Sequence, residues 1–595
     1  MTDSTEKKSA GTKETVEQIL VAFVLAFIFR CFVIEAFVIP TGSMAPTLLG
    51  AHVDYRCPDC GYRYAVNYSS SSRGETAVEP TVSVEVLDRT NNQRKLVERT
   101  LHVRCPNCGY RLPRTDPSDP KNQATGAPVK YGDRILVMKY LYLLHEPHRW
   151  DVVVFKADRG QQFDARATSF DQNYIKRLVG LPGDTLMLLD GDLYASNVDK
   201  PVAALLPEDF AVQVKPTNAQ EAMWRIVYDN DYQPRGLPRD YQNAAGNRVE
   251  LSEPKWSQPW VSSGAGWQNS GRTLSFSSTS SAPGTLQFDP SVAAEREPFT
   301  DWLGYAQTKY LREGNSQVDL FRTPTYEGPG PYAVSDVKLT AAYLRQSGTG
   351  PLRLRLTKRD DAFTLEISPT GVTLSQQAID PQTGDPQTVD ATTPAIVLAR
   401  RDDLTSVGVG RPARIEFINA DYRVSVRIDG MEVLATTPAQ YKPNVAQLLR
   451  EYQSNLRTPL PTISIEASNQ VASLANVSLY RDVYYNNREG TSGRPIVSAS
   501  PDNFPAGSRN SGLIRLEKDE FFVLGDNTLM SLDGRLWQSF IDFSKDEDLV
   551  AGAGRVPKRF MLGKAFFVYW PAAEPPAGFI PLRIVPDFAQ MRFIR

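Results

Sequence analysis

Two side chains that lie far apart in the chain have the chemistry needed to hydrolyse an amide bond. Ser43 lies in the segment IPTGSMAPT (residues 39–47), and Lys176 lies in the segment YIKRLVGLPGD (residues 174–184). A serine hydroxyl becomes an effective nucleophile only when a neighbouring base takes its proton. None of the four histidines, at positions 52, 102, 145 and 148, is placed to do so, which leaves a lysine as the candidate base.

A lysine acts as a base only in its neutral form, and burial favours that form because it penalises the ammonium. Strand alternation puts Lys176 on the face opposite Ile175 and Arg177, so one face can bury Lys176 while Arg177 stays in water. Taken singly, both residues have simpler explanations. Ser43 follows a Thr-Gly pair and has the character of a turn residue or helix cap. The Lys176-Arg177 pair has the character of two exposed charges on an edge strand.

Four segments, in this order along the chain, resemble type I signal peptidase, the leader peptidase family that uses a Ser-Lys dyad. They are residues 39–47, GDRILV at 132–137, residues 174–184, and GDN at 525–527 followed by SLDGR at 531–535. The resemblance covers the early and the final parts of the chain and leaves most of the middle unexplained. It implies a serine endopeptidase that removes signal (leader) peptides from exported preproteins and needs no cofactor for catalysis.

The resemblance also implies roles for individual residues. Ser43 would be the nucleophile and Lys176 the general base, and the oxyanion hole would combine the Ser43 amide with the Thr41 hydroxyl. Ser531 would lie near the lysine amine, and Asp533 and Arg535 would brace the site. The residues implied for the shallow pockets that take small substrate side chains are Phe37, Ile39, Val137 and Ile175. Residues 528–530 and 534 depart from the family pattern, so a looser brace is expected.

The composition favours a mainly β protein. The chain has 595 residues with 43 prolines, 39 glycines and 10% aromatic residues, and few long helical patterns. Its formal charge is only -2, so no global field would attract nucleic acid. Partners are therefore expected at local sites, and no nucleic acid is expected among them. The resemblance implies that the partners are secretory preproteins with small residues before the cleavage site.

The sequence predicts a peptidase frame with two insertions. A polar N-terminal tail (1–18) is expected to be disordered and to precede a transmembrane anchor (19–36). The segments predicted after the anchor are a catalytic domain in three pieces (37–55, 129–197 and 513–595), a zinc-ribbon-like insertion (56–112) and a β-sandwich insertion (215–487).

The predicted anchor is an apolar stretch interrupted by Arg30. A bilayer crossing needs about 20 residues, so Arg30 is expected to extend towards the interface. No small-x-small cleavage site follows, which favours an uncleaved anchor over a cleaved signal peptide. A buried helix of a soluble domain is the alternative. Lys7, Lys8 and Lys13 precede the stretch and predict a single-pass protein of the cytoplasmic (inner) membrane, with its catalytic domain on the outer, extracytoplasmic side.

Four of the five cysteines form two nearly identical turns, CPDCGY at 57–62 and CPNCGY at 105–110. Each turn presents two thiolates, and two such turns complete the tetrahedral shell of a structural zinc ion. The predicted ligands are Cys57, Cys60, Cys105 and Cys108. Two disulfides are the alternative, because an extracytoplasmic compartment is oxidising.

Between residues 215 and 487, short alternating runs separated by turns are typical of a two-sheet antiparallel sandwich. Residues 415–433 resemble a laminin-G or concanavalin-like jelly roll, with Asp429-Gly430 as the hairpin turn. The altered block at 525–535 motivates a second hypothesis, a membrane-anchored carbohydrate- or envelope-binding protein with a degenerate peptidase frame and a glycan or envelope ligand of the sandwich. A self-cleaving repressor is disfavoured, because the chain has no helix-turn-helix or basic DNA-binding region.

Overall fold

The fold is given by a computed structural model. It describes residues 5–67, 81–88, 93–100, 104–110, 129–130, 132–157, 172–237, 241–242, 248–249, 256–290, 299–306, 332–380, 395–454, 456, 458–486, 512–537, 554–571 and 588–594.

The described elements are overwhelmingly strands. The helices are α1 (Thr5–Phe32), α2 (Leu141–Leu144), α3 (Thr217–Met223) and α4 (Val445–Gln453). The first strands are β1 (Ile34–Val38), β2 (His52–Arg56), β3 (Arg63–Asn67), β4 (Thr81–Asp88), β5 (Gln93–Thr100), β6 (Val129–Lys130), β7 (Arg134–Met138), β8 (Val152–Ala157), β9 (Gln172–Gly180), β10 (Thr185–Leu189), β11 (Asp192–Ser196) and β12 (Ala211–Val212). Those of the middle region are β13 (Arg225–Asp229), β14 (Tyr241–Gln242), β15 (Arg248–Val249), β16 (Trp260–Ser263), β17 (Trp267–Ser270), β18 (Thr273–Ser278), β19 (Gly284–Phe288), β20 (Val337–Gly348), β21 (Leu352–Lys358), β22 (Asp361–Ile367), β23 (Val372–Ala378), β24 (Ile396–Arg401), β25 (Pro412–Ala420), β26 (Arg423–Ile428), β27 (Met431–Ala435), β28 (Ile463–Ala467) and β29 (Gln470–Arg481). The last are β30 (Ile514–Arg515), β31 (Glu520–Leu524), β32 (Arg555–Pro557), β33 (Met561–Trp570) and β34 (Arg592–Phe593). The prediction of a mainly β protein is confirmed.

One antiparallel sheet joins segments from both ends of the chain. Its order is β1-β7-β33-β8-β9-β31-β32, with β34 paired to β33. Strand β9 lies in its interior, between β8 and β31, and both faces of the sheet are covered by apolar side chains. Residues 175–180 of β9 are therefore buried on both faces of the sheet.

A four-stranded sheet, β12-β11-β10-β30, continues from β9 across the turn at Pro182-Gly183. Every residue of β10 and β11 is buried. The short sheet β3-β2-β6 carries the cysteine turn at 57–60 at its end.

The middle region is a two-sheet sandwich. One sheet has the order β17-β18-β29-β20-β25-β26-β27 with β13 paired to β29, and the other has the order β16-β19-β28-β21-β22-β23-β24. Alternate residues of facing strands, such as Leu352, Leu354 and Leu356, are fully buried between the sheets. Asp429 and Gly430 both have positive φ, 51° and 81°, and form the turn between β26 and β27.

The N-terminal region differs from its prediction. Helix α1 begins at Thr5, inside the tail expected to be disordered, and ends at Phe32, before the predicted end of the anchor. Residues 34–36 belong instead to β1, which pairs with β7, so their backbone hydrogen bonds are made within the sheet. Among the residues with described side chains, no helix meets the length and hydrophobicity needed to cross a membrane.

Candidate active site

Ser43 lies in a buried single-turn helix, Gly42–Met44, at the centre of a loop over residues 39–50 that we call the nucleophile loop. The base of this loop is fixed by Gly132 and Asp133. The Ile39 amide donates to the Asp133 carbonyl at 2.9 Å, and the Asp133 amide donates to the Leu49 carbonyl at 2.9 Å. A Cβ at Gly132 would lie 1.7 Å from the Ile39 carbonyl oxygen, so only glycine permits this approach.

Lys176 reaches Ser43 from β9. Its Nζ lies 2.8 Å from Ser43 Oγ and donates a second hydrogen bond of 3.1 Å to the Ile175 carbonyl. Lys176 is only 3% exposed. Burial lowers its pKa to about 8, against the charges of Asp533 and Asp526, which favour the ammonium.

The expectation that Arg177 stays in water is wrong. It is completely buried, because β9 is an interior strand of a sheet covered on both faces. Its Nε and Nη2 donate to the two Asp526 carboxylate oxygens at 2.7 and 2.6 Å. Burial opposes ionisation of Asp526, but Arg177 and the Thr47 hydroxyl hold the pKa of that carboxyl below its usual value.

The segment 525–527 lies against the nucleophile loop. The Asn527 amide donates to the Ser43 carbonyl at 3.0 Å, and its Nδ2 donates to the Gly42 carbonyl at 3.0 Å. A Cβ at Gly525 would lie 2.5 Å from the Ser43 carbonyl oxygen and 2.2 Å from Ser531 Oγ. Glycine is required here because the two segments touch through their backbones.

Asp533 and Arg535 form a buried pair below this segment. Arg535 donates from Nε and Nη2 to the two Asp533 carboxylate oxygens, at 2.9 and 2.8 Å, and the Gly525 amide donates to Asp533 at 3.0 Å. Arg535 also donates to the Thr528 carbonyl at 2.9 Å. The pair therefore fixes the very segment whose sequence departs from the family pattern, and the looser brace expected there is not observed.

The remaining implied residues lie around this centre. Thr41 is exposed at the start of the Gly42–Met44 turn, and its side chain makes no capping hydrogen bond there. Ser531 is completely buried, but within the described chain the Lys176 amine is bonded to Ser43 and the Ile175 carbonyl rather than to it. The implied pocket residues share one apolar cluster; Ile39 and Val137 are fully packed in it, whereas Ile175 and Phe37 lie nearer its surface.

The four cysteine sulfurs converge at a second centre. The Cys57–Cys108 and Cys60–Cys105 sulfurs are 3.7 and 3.6 Å apart, and all four lie within 4.8 Å of one another. A tetrahedral zinc site with Zn–S of about 2.3 Å has sulfurs about 3.8 Å apart, whereas a disulfide needs about 2.05 Å. The arrangement fits a metal, and the four thiols are free rather than paired as disulfides.

In both cysteine turns, the residue before the second cysteine accepts a backbone hydrogen bond from a distant segment. Asp59 accepts the Arg235 amide at 2.8 Å, and Asn107 accepts the Asp229 amide at 2.7 Å. Both side chains are buried and hold the segment that follows β13. No role was predicted for these two residues from the sequence, although their matched position in two near-identical turns is a usable signal.

A family model described as "Signal peptidase, peptidase S26" matches residues 120–240 and 463–570. Lys176, Asp526 and Asp533 lie inside the matched residues, and Ser43 lies outside them. This match supports a relation to the signal peptidases at the level of the family and a serine peptidase as the class of enzyme.

A curated relative points the same way. The chain is 30% identical over 105 residues to a "Probable signal peptidase I-2" of Synechocystis sp., which is 17% of this chain and 44% of the relative. The chain thus spans less than half of the length of the curated relative that it matches. The alternative of a carbohydrate-binding protein with a degenerate frame is not favoured by these sequence matches.

Solved structures resemble only a part of the chain. The carbohydrate binding module CBM66 from Bacillus subtilis matches at a TM-score of 0.21 and 9% identity, covering 37% of this chain and 94% of the module. The galectin LEC-6 of Caenorhabditis elegans matches at 0.16 and 13%, covering 24% and 82%. Likenesses this remote carry no argument about a ligand.

Proposed function

We propose that this protein is a serine endopeptidase of the signal peptidase type, with Ser43 as the nucleophile and Lys176 as the general base. The observation that carries the proposal is the 2.8 Å contact between Lys176 Nζ and Ser43 Oγ, with the amine buried and its pKa lowered to about 8. In its neutral form the amine accepts the Ser43 hydroxyl proton as Oγ attacks the scissile carbonyl, and the resulting ammonium returns a proton to the leaving amine.

The oxyanion formed in this step needs hydrogen-bond donors next to the nucleophile. We propose the Ser43 amide and the Thr41 hydroxyl, since Thr41 is exposed at the start of the turn and is not engaged in capping it. Asn527 supports this arrangement because it fixes the carbonyls of Gly42 and Ser43, which sets the direction of the intervening amide.

The proposed substrates are secretory preproteins with small residues before the cleavage site, cleaved at the outer face of the cytoplasmic membrane. Contact with lipid is supported by the exposed apolar side chains of α1, among them Phe23, Phe27 and Phe32 at 71%, 70% and 66% exposure. A preprotein embedded in the same membrane would then be held close to the nucleophile loop. A glycan or envelope ligand of the sandwich stays a prediction.

We propose a structural zinc ion at Cys57, Cys60, Cys105 and Cys108. The support is the sulfur geometry, and a site made of four thiolates leaves no coordination position for a substrate. When bound, zinc holds the two cysteine turns together. The Asp59 and Asn107 side chains then fix the end of β13 and the segment after it through hydrogen bonds.

The first experiment tests the dyad in the full-length protein reconstituted in lipid vesicles. Ser43→Ala and Lys176→Ala should each lower kcat for a leader-bearing preprotein by at least about a thousandfold, because the nucleophile and base act as a unit. Exposed residues of the same types, Ser262→Ala and Lys442→Ala, serve as controls and should retain activity. If either dyad variant cleaves the preprotein at the wild-type rate, the assignment is wrong.

A further inference from the structure

The turn Gly304–Ala306, which belongs to the middle region, lies beside the nucleophile loop. Its Tyr305 is 4% exposed and packs on Gly42, the residue just before Ser43. A Cβ at Gly42 would lie 2.4 Å from Tyr305 Cε1, 2.7 Å from its hydroxyl oxygen and 3.0 Å from Cζ. The aromatic ring thus occupies the space that any larger residue at position 42 would need.

The backbone of Gly42 does not itself require glycine. Gly42 begins a right-handed helical turn and is not among the glycines with positive φ. The three heavy atoms nearest to its missing Cβ all belong to Tyr305. The contact with Tyr305 therefore leaves no room for a side chain at this position.

The nucleophile loop is also held by hydrogen bonds. Asp133 holds its base, and Asn527 binds the carbonyls of Gly42 and Ser43. Neither contact fills the space beside the Gly42 Cα, where the nearest atoms are those of Tyr305. Because Ser43 Oγ must stay within hydrogen-bond distance of Lys176 Nζ, a shift of about 1 Å in this turn would cost much of the rate.

We propose that Tyr305 is a positioning residue for Ser43, supplied by the inserted region rather than by the peptidase frame. Its ring holds Gly42, and through it the Ser43 hydroxyl, against the Lys176 amine. This inference rests on the proposed peptidase function and adds to it a role for the insertion in assembling the site.

The turn that carries Tyr305 also packs against one of the cysteine turns. A Cβ at Gly304 would lie 3.2 Å from Pro106 Cβ, so the turn packs against the second cysteine turn. Asn107, the next residue, binds the backbone at Asp229 and Tyr232. The turn therefore contacts the second cysteine turn through Gly304 and the nucleophile loop through Tyr305.

A double-mutant cycle between Gly42→Ala and Tyr305→Leu tests the proposal in the full-length protein. Leucine fills a buried apolar site but lacks the three tyrosine atoms that meet Gly42. Gly42→Ala should lower kcat by about tenfold or more in the wild-type background and by less than about threefold in the Tyr305→Leu background, since contacting residues are not additive. Equal losses in both backgrounds would overturn the proposal.

A second measurement separates positioning from a loss of folding. Tyr305→Leu should lower kcat with little change in KM and should move the acidic limb of the pH–rate profile upwards from about 8, because a loosened loop admits water to Lys176. Tyr305→Phe keeps the ring and should restore both values. Tyr343→Leu removes a similarly buried tyrosine of the sandwich and should leave the limb in place. An unmoved limb and an unchanged kcat in Tyr305→Leu would count against the proposal.

The outcomes also separate this inference from the proposed function. If the wild-type protein does not cleave a leader-bearing preprotein, or if Ser43→Ala does, the peptidase assignment fails. If the wild type is active and depends on Ser43, but the cycle is additive, only the role of Tyr305 fails.

Discussion

At the residue scale, the question is why Lys176 has a lowered pKa with two carboxylates nearby. Asp526 and Asp533 both favour the ammonium form of the lysine. Each carboxylate, however, is paired through two hydrogen bonds with its own arginine, Arg177 or Arg535. The paired charges largely cancel at the distance of the amine, so the burial of Lys176 outweighs them and favours the neutral base.

This balance predicts the pH dependence of cleavage. The ammonium loses its proton as the pH passes about 8, so kcat/KM should rise about tenfold per pH unit below that value and level off above it. Lys176→Arg should be inactive at every pH, because an arginine stays protonated. A steady-state pH–rate profile on a leader-bearing peptide measures this. Cleavage by Lys176→Arg at any pH would rule out the lysine as the base.

At the element scale, the site depends on where single strands and turns lie. Strand β9 presents Lys176 and Arg177 on opposite faces, and both are buried because the sheet is covered on each side. The backbone of each cysteine turn likewise depends on one glycine. Gly61 and Gly109 have φ of 81° and 74°, a conformation in which a side chain is strained, and each amide donates back to the first cysteine of its turn.

The cysteine turns predict a metal dependence for both stability and activity. Cys105→Ser should lower the zinc content of the purified protein below one ion per chain and reduce its melting temperature, because a structural zinc site contributes directly to folding. Its kcat should also fall, since Pro106 packs against the turn of Tyr305. Metal analysis, thermal unfolding and cleavage assays measure the three effects.

An exposed serine change such as Ser262→Ala is the control for that experiment and should bind a full complement of zinc. If Cys105→Ser retains both its metal and its melting temperature, the four sulfurs are not a zinc site. If it loses metal but keeps full activity, the cysteine turns do not support the nucleophile loop.

At the scale of the whole molecule, the sandwich is joined to the peptidase sheets by a buried charge network. Lys358 of β21 pairs with Asp336 and, at 3.5 Å, with Asp192 of β11. Lys215 pairs with Asp421 and, at 2.8 Å, with Asp482. All six side chains are buried, so each charge is stable only while its partners are in place.

Removing one cation from this network should destabilise the whole protein. Lys358→Met removes the ammonium that pairs with the buried Asp336 carboxylate and holds its pKa below the usual value, which should cost roughly 3–5 kcal/mol of unfolding free energy. Arg353→Met, on the same strand but in a half-exposed pair with Glu366, should change it by less than about 1 kcal/mol. Denaturant unfolding compares the two. Equal small effects would show that the network does not hold the sandwich in place.

The sequence by itself was enough to predict the mainly β class, the alternating strands of the sandwich and the hairpin at Asp429-Gly430, because these depend on local periodicity and turn chemistry. The grouping of the four cysteines also followed from local spacing. Ser43 and Lys176 were identified through the family resemblance. The neighbouring sequence of each residue, taken alone, would not have identified either of them. The limits of α1 were predicted less well, since hydrophobicity alone does not show where a sheet takes over the backbone hydrogen bonds.

Only the tertiary structure decided which side chains are removed from water and which segments meet. Arg177 was expected in water because alternation describes two faces but not what covers them; the interior position of β9 buries both. Tyr305 and Gly42 are far apart in sequence, and no local pattern relates them. Contacts of this kind arise from packing between distant segments, so they depend on the whole fold rather than on any stretch of residues.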